Sequence, residues 1–246
     1  MHFDIHRRRI TCILAILSFF PLSSFLMPHP GGPGEFEATA LNLYASVDAG
    51  IFVKPEYDVF YYALTGSDKL KKDGKLPEQD IITLIDFRKP STEKRLWVID
   101  LNSKRVLFHS LVAHGRNSGE LYARSFSNKI DSHQSSLGFY VTGPTYIGKH
   151  GLSLILRGLE NGINDQSERR AIVMHGADYV SDVYAKKYGR LGRSFGCPAL
   201  PANLYKQIIN TVAGGSCLFI YYPDQSYLRS TELYSYLAKP TSATGQ

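Results

Sequence analysis

The segment Arg193-Ser194-Phe195-Gly196-Cys197-Pro198 holds the residue type best suited to covalent chemistry in this chain. A cysteine becomes a nucleophile when a base or a positive potential draws off its proton, and backbone N–H groups can then hold the oxygen of an acyl group under attack. Gly196, directly before Cys197, permits a turn that a Cβ would obstruct, and Pro198 fixes the chain beyond it. Gly192 and Gly196 bracket Arg193-Ser194-Phe195, so the segment is expected to aim backbone donors at a substrate. His175 ends the apolar run Val173-Met174, 22 residues before Cys197, and a loop and helix between them can bring it back beside the thiol. Because Cys–His pairing is spatial, that spacing permits a nucleophile and base without proving one.

A second reading of the cysteines stands beside this one. Past the N-terminal run that contains Cys12, only Cys197 and Cys217 remain, and two cysteines in an oxidising compartment allow one structural bridge. Against the bridge, Cys217 opens the apolar run Cys217-Leu218-Phe219-Ile220-Tyr221-Tyr222, where a buried thiol needs no partner. His114, in a second His-Gly step, is another candidate base, and Tyr140 and His133 are candidates to line the same cleft; for each a structural or binding role is favoured over proton transfer.

Other chemistries find little support. His175 and His114 lack the tight spacing of a metal motif, so no metal and no cofactor are expected. No Gly-rich strand-to-helix phosphate loop stands in the right context, and the basic residues form no stripe interleaved with aromatics. Nucleic acid is therefore not an expected partner.

The elements that must position Cys197 and His175 begin near Ile81. There the composition changes to β-branched and aromatic runs: Ile81–Phe87, Leu96–Leu101, Val106–His114, Leu137–Thr142 and Leu152–Leu156. Asn102-Ser103-Lys104 suits a hairpin between the second and third of these. Ala171–His175 reads as a short buried strand, Cys217–Tyr222 as the closing one. Ala177–Tyr188 and Ala202–Val212 read as helices, the second stopped by Gly214-Gly215. Mostly strands with helices inserted late is not the regular alternation of a doubly wound sheet, and a β-dominated sandwich or barrel is expected.

Ahead of that domain, residues 38–80 form a helical preface, with Pro55 suiting a first turn and Gly66 expected to end the helix. Residues 28–37 are rich in Pro and Gly and read as a linker. Arg7-Arg8-Arg9 followed by the uncharged run Ile10–Met27 has the form of a basic n-region and an apolar h-region, so residues 1–27 are expected to direct export. No small-x-small site directly follows Met27, leaving a cleaved signal and an uncleaved anchor both open; residues 10–27 are the only expected membrane contact. Of 28 Lys+Arg and 22 Asp+Glu, those 27 residues hold three and one, leaving 25 basic against 21 acidic: a mild excess compatible with an anionic wall polymer or with solubility alone. Residues 223–246 are a C-terminal tail. At 246 residues with 43% apolar content, the chain can bury a sizeable core.

His175-Gly176 at a strand end, followed by Ser194-Phe195-Gly196-Cys197, resembles the signature of the L,D-transpeptidases that remodel bacterial peptidoglycan. Leu96–His114 and Ser135-Ser136-Leu137-Gly138-Phe139-Tyr140 are similar to that family's early strands and its glycine-containing segment, so the resemblance covers roughly residues 81–222. The phrases Pro90–Trp97, Ala113–Glu120 and Gly192–Leu200 are similar to the murein L,D-transpeptidase catalytic-domain branch. The resemblance implies Cys197 as nucleophile, His175 as base, Ser194 as an orienting or oxyanion-side group and Gly196 as the turn residue, with the Cys197 N–H facing the oxyanion. Gly176, Arg193, Tyr140 and His114 are the candidates for substrate binding.

What it implies about function is cleavage of the L,D bond before a terminal D-alanine of a peptidoglycan stem through a Cys197 thioester, then transfer to an amine to give a 3-3 cross-link. Interception by water would make the same machinery an L,D-carboxypeptidase, and a noncatalytic wall-binding protein is the rival from another class. A carbapenem is the expected covalent inhibitor, and the periplasm or cell envelope the expected location. Two positions depart from the pattern: Phe195 stands where many members have His, and Ala199 where many have Arg. Arg193, Arg169 or Arg170 either takes over the carboxylate grip of that arginine or is solvated surface charge.

Overall fold

A computed structural model of the chain describes residues 33–231 and Leu233. The expectations for residues 1–27 and for positions 234–246 of the tail lie outside the described residues.

Among the described residues, eight strands, β1 (Ile81–Asp86), β2 (Leu96–Asp100), β3 (Arg105–Ser110), β4 (Gly138–Gly148), β5 (Gly151–Gly158), β6 (Val173–Ala177), β7 (Ala199–Pro201) and β8 (Cys217–Tyr221), form one sheet. Its order is β3-β2-β1-β8-β4-β5-β6-β7. Neighbours are antiparallel except β1 with β8 and β6 with β7. Central β8 is buried along its whole length, which is why Cys217–Tyr221 is apolar without alternation. Phe139 of β4 and Phe219 of β8 are register partners, their rings stacked at 4.3 Å in the core.

The two ends of the sheet are joined by chain that follows β3. Ala113 donates its N–H to the Ala199 carbonyl at 2.9 Å, and Gly115 bridges to Ser194, so residues 111–116 seal the edge beyond β7. Closure leaves a barrel-like β-dominated body, the expected class, and removes most of the open edge. Fully buried Arg95 holds this seam: its guanidinium donates to the Val112 carbonyl at 2.9 and 3.1 Å and to Lys89 O at 2.9 Å.

Among the described residues, five α-helices surround the sheet: α1 (Pro33–Ser46), α2 (Tyr57–Lys72), α3 (Asp182–Tyr188), α4 (Tyr205–Val212) and α5 (Gln225–Ser230). α2 lays Val59, Phe60, Tyr62, Ala63 and Leu70 into the same core as β1 and β8, so the helical preface is part of the folded body. Arg88 fastens it by bridging Asp58 of α2 at 2.7 Å and Asp86 of β1 at 2.9 Å. Gly66 does not end that helix. It lies within α2, where a Cβ would come to 2.1 Å from Phe139 Cζ, so the glycine serves close approach of helix to sheet.

Further boundaries differ from expectation for local reasons. Residues 33–37 of the expected linker open α1, with Pro33 in the first turn. β4 runs on past Thr142 because a register shift between Thr142 and Thr145 absorbs Gly143-Pro144. α3 starts at Asp182, not Ala177: Ala177 still belongs to β6, and the Ser181 hydroxyl caps the helix by accepting the Tyr184 N–H at 3.2 Å. The tail folds briefly as α5, capped by Asp224 and anchored by buried Tyr227. Among the described residues no helix is long and apolar enough to cross a membrane.

Candidate active site

Cys197 sits in the turn just before β7, half-buried, and its sulfur lies against β6. The Val173 N–H approaches Sγ at 3.5 Å and the thiol points at the Ala171 carbonyl 3.7 Å away. The turn is tied from inside by Ser194, whose hydroxyl donates to the Cys197 carbonyl at 2.6 Å and accepts the Gly196 N–H at 3.1 Å. From outside, Ser135 accepts the Gly115 N–H at 3.0 Å and donates to the Gly196 carbonyl at 3.1 Å. Gly196 takes φ 126°, where a Cβ would meet Gln134 O at 2.8 Å and Ile172 Cδ1 at 2.9 Å. The Cys197 N–H bonds to no other residue among the described ones, leaving a fixed donor beside the sulfur.

His175 comes to this cleft through strand periodicity. Met174 points into the core, so Val173 and His175 share the opposite face, two residues apart. β6 pairs in parallel with β7, His175 against Ala199, which sets the histidine beside the segment carrying Cys197. Nδ1 lies 2.9 Å from the Gly176 carbonyl, which can only accept, so Nδ1 carries the proton and Nε2 a lone pair. Sγ and Nε2 share the cleft without a direct hydrogen bond, a looseness common before substrate tightens such a pair.

The electrostatics leave both groups neutral at rest. Burial raises the Cys197 thiol above its ordinary value, opposed by the Val173 N–H, the Arg170 charge, its own N–H and the Lys149 charge. Burial lowers His175, opposed by its bond to Gly176 and reinforced by His150 and Lys149. A neutral imidazole in the same cleft as a protonated thiol has a lone pair free to accept a proton.

The cleft holds about 420 Å³ and is lined by Cys197, His175, Ser194 and Arg193 of the expected set, together with Arg170 and Phe195. Arg193 donates to the carbonyls of Arg116 and Gly119 and pairs with Glu120 at 2.6 Å. Of the other two arginines, Arg170 enters the cleft while Arg169 stays exposed and bonds Gln166. Arg170 donates to Ser127 O at 2.7 Å, Ser136 Oγ at 2.6 Å, Ser132 Oγ at 3.2 Å and Gln134 O, and forms no ion pair among the described residues. Exposed Phe195 stacks on His133 at 4.6 Å with the Arg116 guanidinium over its ring, so His133 backs the rim and does not line the cleft.

Tyr140 and His114 do not reach the cleft. Tyr140 is buried in β4, its hydroxyl donating to Ser136 O at 3.1 Å. His114 is wholly buried: Nδ1 accepts from Arg95 Nη2 at 2.8 Å and Nε2 donates to Gly119 O at 3.2 Å. Both ring nitrogens are thus spent, and burial, then the Arg95 charge, holds this imidazole down to about 3. Gly176 also lies off the cleft lining; its carbonyl orients His175, and a Cβ there would strike the Tyr205 ring at 2.7 Å.

Several cleft residues had no motif to announce them. Lys149 and His150 form the tip of the β4–β5 hairpin, and His150 stacks on His175 with ring centroids 4.5 Å apart. The flanking Gly148 and Gly151 mark a turn, but only the β5–β6 register, Ser153 opposite His175, says that the turn folds over the histidine. Tyr179 closes another wall, packed where a Gly192 Cβ would intrude, and burial and the Cys197 charge raise its hydroxyl to about 12. Cys197 and Cys217 are both free thiols, with β4, β5 and β6 lying between their strands in the sheet. Among the described residues no group of His, Cys, Asp or Glu could hold a metal ion.

The model of the L,D-transpeptidase catalytic domain matches residues 53–221, and the chain belongs to that family. The match starts at Val53, before α2, in keeping with the core that α2 shares with the sheet. Solved structures similar to this chain include an L,D-transpeptidase from Mycobacterium smegmatis (11% identity, TM-score 0.36, 58% of this chain and 59% of that one) and L,D-transpeptidase 3 from Mycobacterium tuberculosis (11%, 0.37, 58% and 61%). An L,D-transpeptidase from Stackebrandtia nassauensis is matched at 11% identity and TM-score 0.36 over 77% of this chain and 92% of that one. The chain thus spans about three fifths of the length of the two mycobacterial chains. No curated protein sequence matches.

Proposed function

We propose that this protein is an exported cysteine acyltransferase that cleaves the L,D bond before the terminal D-alanine of a peptidoglycan stem and passes the acyl group to an amine. The observation that carries the reading is that one cleft holds both Cys197, its N–H free beside the sulfur, and His175, whose Nε2 lone pair is set by the Gly176 carbonyl. As Sγ forms its bond to the carbonyl carbon, His175 Nε2 takes the thiol proton and the Cys197 N–H receives the developing oxyanion. The C–N bond then breaks, His175 returns its proton to the leaving amine, and a thioester remains on Cys197. A side-chain amine of a second stem attacks that thioester, His175 accepts the amine proton, and the thiol is regenerated with a 3-3 cross-link formed. Water in place of the amine gives the L,D-carboxypeptidase outcome. Family membership supports the substrate class. The basic run before Ile10–Met27 supports export to the periplasm or cell envelope.

Incubation with a stem tetrapeptide or a carbapenem, followed by intact mass, tests the thioester. An acyl adduct on the native chain that is absent from Cys197→Ala is the expected result; equal labelling of both chains removes the nucleophile. Muropeptide products then separate amine transfer from hydrolysis. The noncatalytic wall-binding alternative required a Cys197–Cys217 bridge, and the free thiols, one in the turn before β7 and the other on β8 with β4, β5 and β6 between those strands, weigh against it.

A further inference from the structure

No Asp or Glu lines the cleft around Cys197, while Lys149, Arg170 and Arg193 do. These three cations are not equivalent. Arg193 is paired with Glu120, and its Nη1 also serves two carbonyls. Arg170 keeps its positive charge without an ion pair, but both its Nη atoms are engaged in holding the 127–136 segment. Lys149, exposed at the hairpin tip, forms no hydrogen bond or ion pair among the described residues and faces the cleft next to His150.

We propose that Lys149 is a specificity-determining residue that pairs with a carboxylate carried by the acyl donor beside its scissile carbonyl, with Arg170 supplying a fixed positive field that draws the anion in. This deepens the proposed function and rests on it for the identity of the donor; the carboxylate preference itself rests on the cleft. Three observations support the assignment. The position two residues past the nucleophile is Ala199, buried in β7 and unable to grip an anion. The cleft has cations and no counter-charge of its own, so a carboxylate entering it meets attraction without internal competition. Lys149 is on a turn between two glycines, Gly148 and Gly151, within the hairpin that also supplies His150, so an anion held by its ammonium lies over the same histidine that works on the thiol. A lysine suits this place because its ammonium is a mobile point charge on a long stem, needing no preset planar geometry.

The test does not require the natural substrate. Iodoacetate and iodoacetamide alkylate thiols by the same displacement and differ in one negative charge. Their rates at Cys197 are measured on the full chain by peptide mass mapping, and the ratio is compared with that of a short unstructured peptide bearing one cysteine. The iodoacetate-to-iodoacetamide ratio at Cys197 is expected to exceed the peptide's by about threefold or more at low salt, the effect of one to two nearby cations in water. Lys149→Glu lowers it by at least that factor, and Lys149→Ala part of the way. Lys72→Glu, the same charge change at the exposed end of α2, leaves it in place. A native ratio equal to the peptide's, or an equal fall in Lys149→Glu and Lys72→Glu, overturns the proposal. A second arm compares acylation by a stem tetrapeptide with a free or an amidated terminal carboxylate, and Lys149→Ala should raise KM for the free acid about fivefold more than for the amide. An iodoacetate preference that holds while neither peptide acylates Cys197 removes the peptidoglycan reading and keeps the carboxylate site. Acylation of both peptides with equal KM removes the carboxylate site and keeps the enzyme.

Discussion

His150 lies nearly face to face with His175, ring centroids 4.5 Å apart and planes 21° from parallel. One imidazole is exposed on a hairpin tip; the other is buried on β6 with its Nδ1 proton committed to Gly176. The exposed ring therefore covers the buried one from solvent, and two charged rings at that distance would repel. Burial, then the charges of His150 and Lys149, hold His175 below its ordinary value. In the proposed mechanism His175 must be neutral to act, so this depression is expected to extend activity toward acid.

His150→Ala uncovers His175 and removes one of the charges that depress it, so the pKa of His175 climbs toward the ordinary histidine value of about 6.5. At a given mildly acidic pH more of the base is then protonated, and the acid limb of kcat/KM moves to higher pH. His150→Phe keeps the cover and loses the charge, so its limb moves less. Acylation rates between pH 4 and 8 measure both, and an acid limb unmoved in His150→Ala would show that the stack does not tune the base.

Ser194 bonds both sides of the Cys197 turn, so in the proposed mechanism its removal acts through geometry. Ser194→Ala strands the Gly196 N–H and the Cys197 carbonyl, and each buried unpaired group costs about 1–3 kcal/mol unless the turn rearranges. A rearranged turn moves the Cys197 N–H off the oxyanion, a loss on the order of a hundredfold in kcat. Alkylation of the same thiol by neutral iodoacetamide needs no oxyanion donor and should change much less. Equal losses in acylation and alkylation would place the defect at the thiol itself.

Buried His114 makes the fold acid-sensitive. Its folded pKa is held at about 3, below the unfolded value of about 6.5, so between those limits the unfolded chain binds the extra proton. The stability contributed by neutral His114 is complete above pH 6.5 and falls by about 1.4 kcal/mol per pH unit as the pH drops toward 3. His114→Gln loses the Arg95 and Gly119 bonds and is less stable at pH 7, yet its urea midpoint should change less between pH 7 and 4 than that of the native chain. Parallel midpoint curves would move the acid sensitivity to another group.

The turn before Cys197 was legible because a glycine directly ahead of a cysteine is a local pattern, and the apolar run Val173-Met174 marked the strand that carries His175, although that strand continues to Ala177 and does not end at the histidine. So were most strands, since β2 from Leu96 to Ile99 and β8 are buried on both faces and write themselves as apolar runs, and β1 does so with only Thr83 breaking it before Asp86. Tyr140 and His114 misled for the same reason that the strands were readable: a polar atom on a buried strand or seam is as compatible with an inward hydrogen bond as with a cleft, and only the partners Ser136, Arg95 and Gly119 decide. Gly66 misled because a glycine in a helix stands equally for a stop or for a close neighbour, here Phe139, 73 positions further along the chain. For Lys149 and His150 the only local signal was the turn marked by Gly148 and Gly151; their place above His175 comes from hydrogen-bond register across three strands.

Ala171 offers the last test, since no motif pointed to it either. Its carbonyl receives the Cys197 thiol at 3.7 Å, and its backbone sits at φ 53°, the left-handed region that side chains disfavour. The turn is imposed by its neighbours: the Ala171 N–H is held by Glu168 O at 3.0 Å and the Ile172 N–H by Ser167 O at 2.9 Å. An alanine there carries about 1 kcal/mol of strain, which glycine relieves while adding a comparable entropy to the unfolded chain. Ala171→Gly should therefore stay within about 1 kcal/mol of native stability. A β-branched side chain has no comfortable rotamer at this φ, so Ala171→Val should cost about 2 kcal/mol or more and turn the carbonyl away from the thiol. Urea midpoints of the two variants read the difference directly: a valine as well tolerated as glycine would mean that the backbone relaxes out of the left-handed region, and that the carbonyl facing Cys197 is not held by strain.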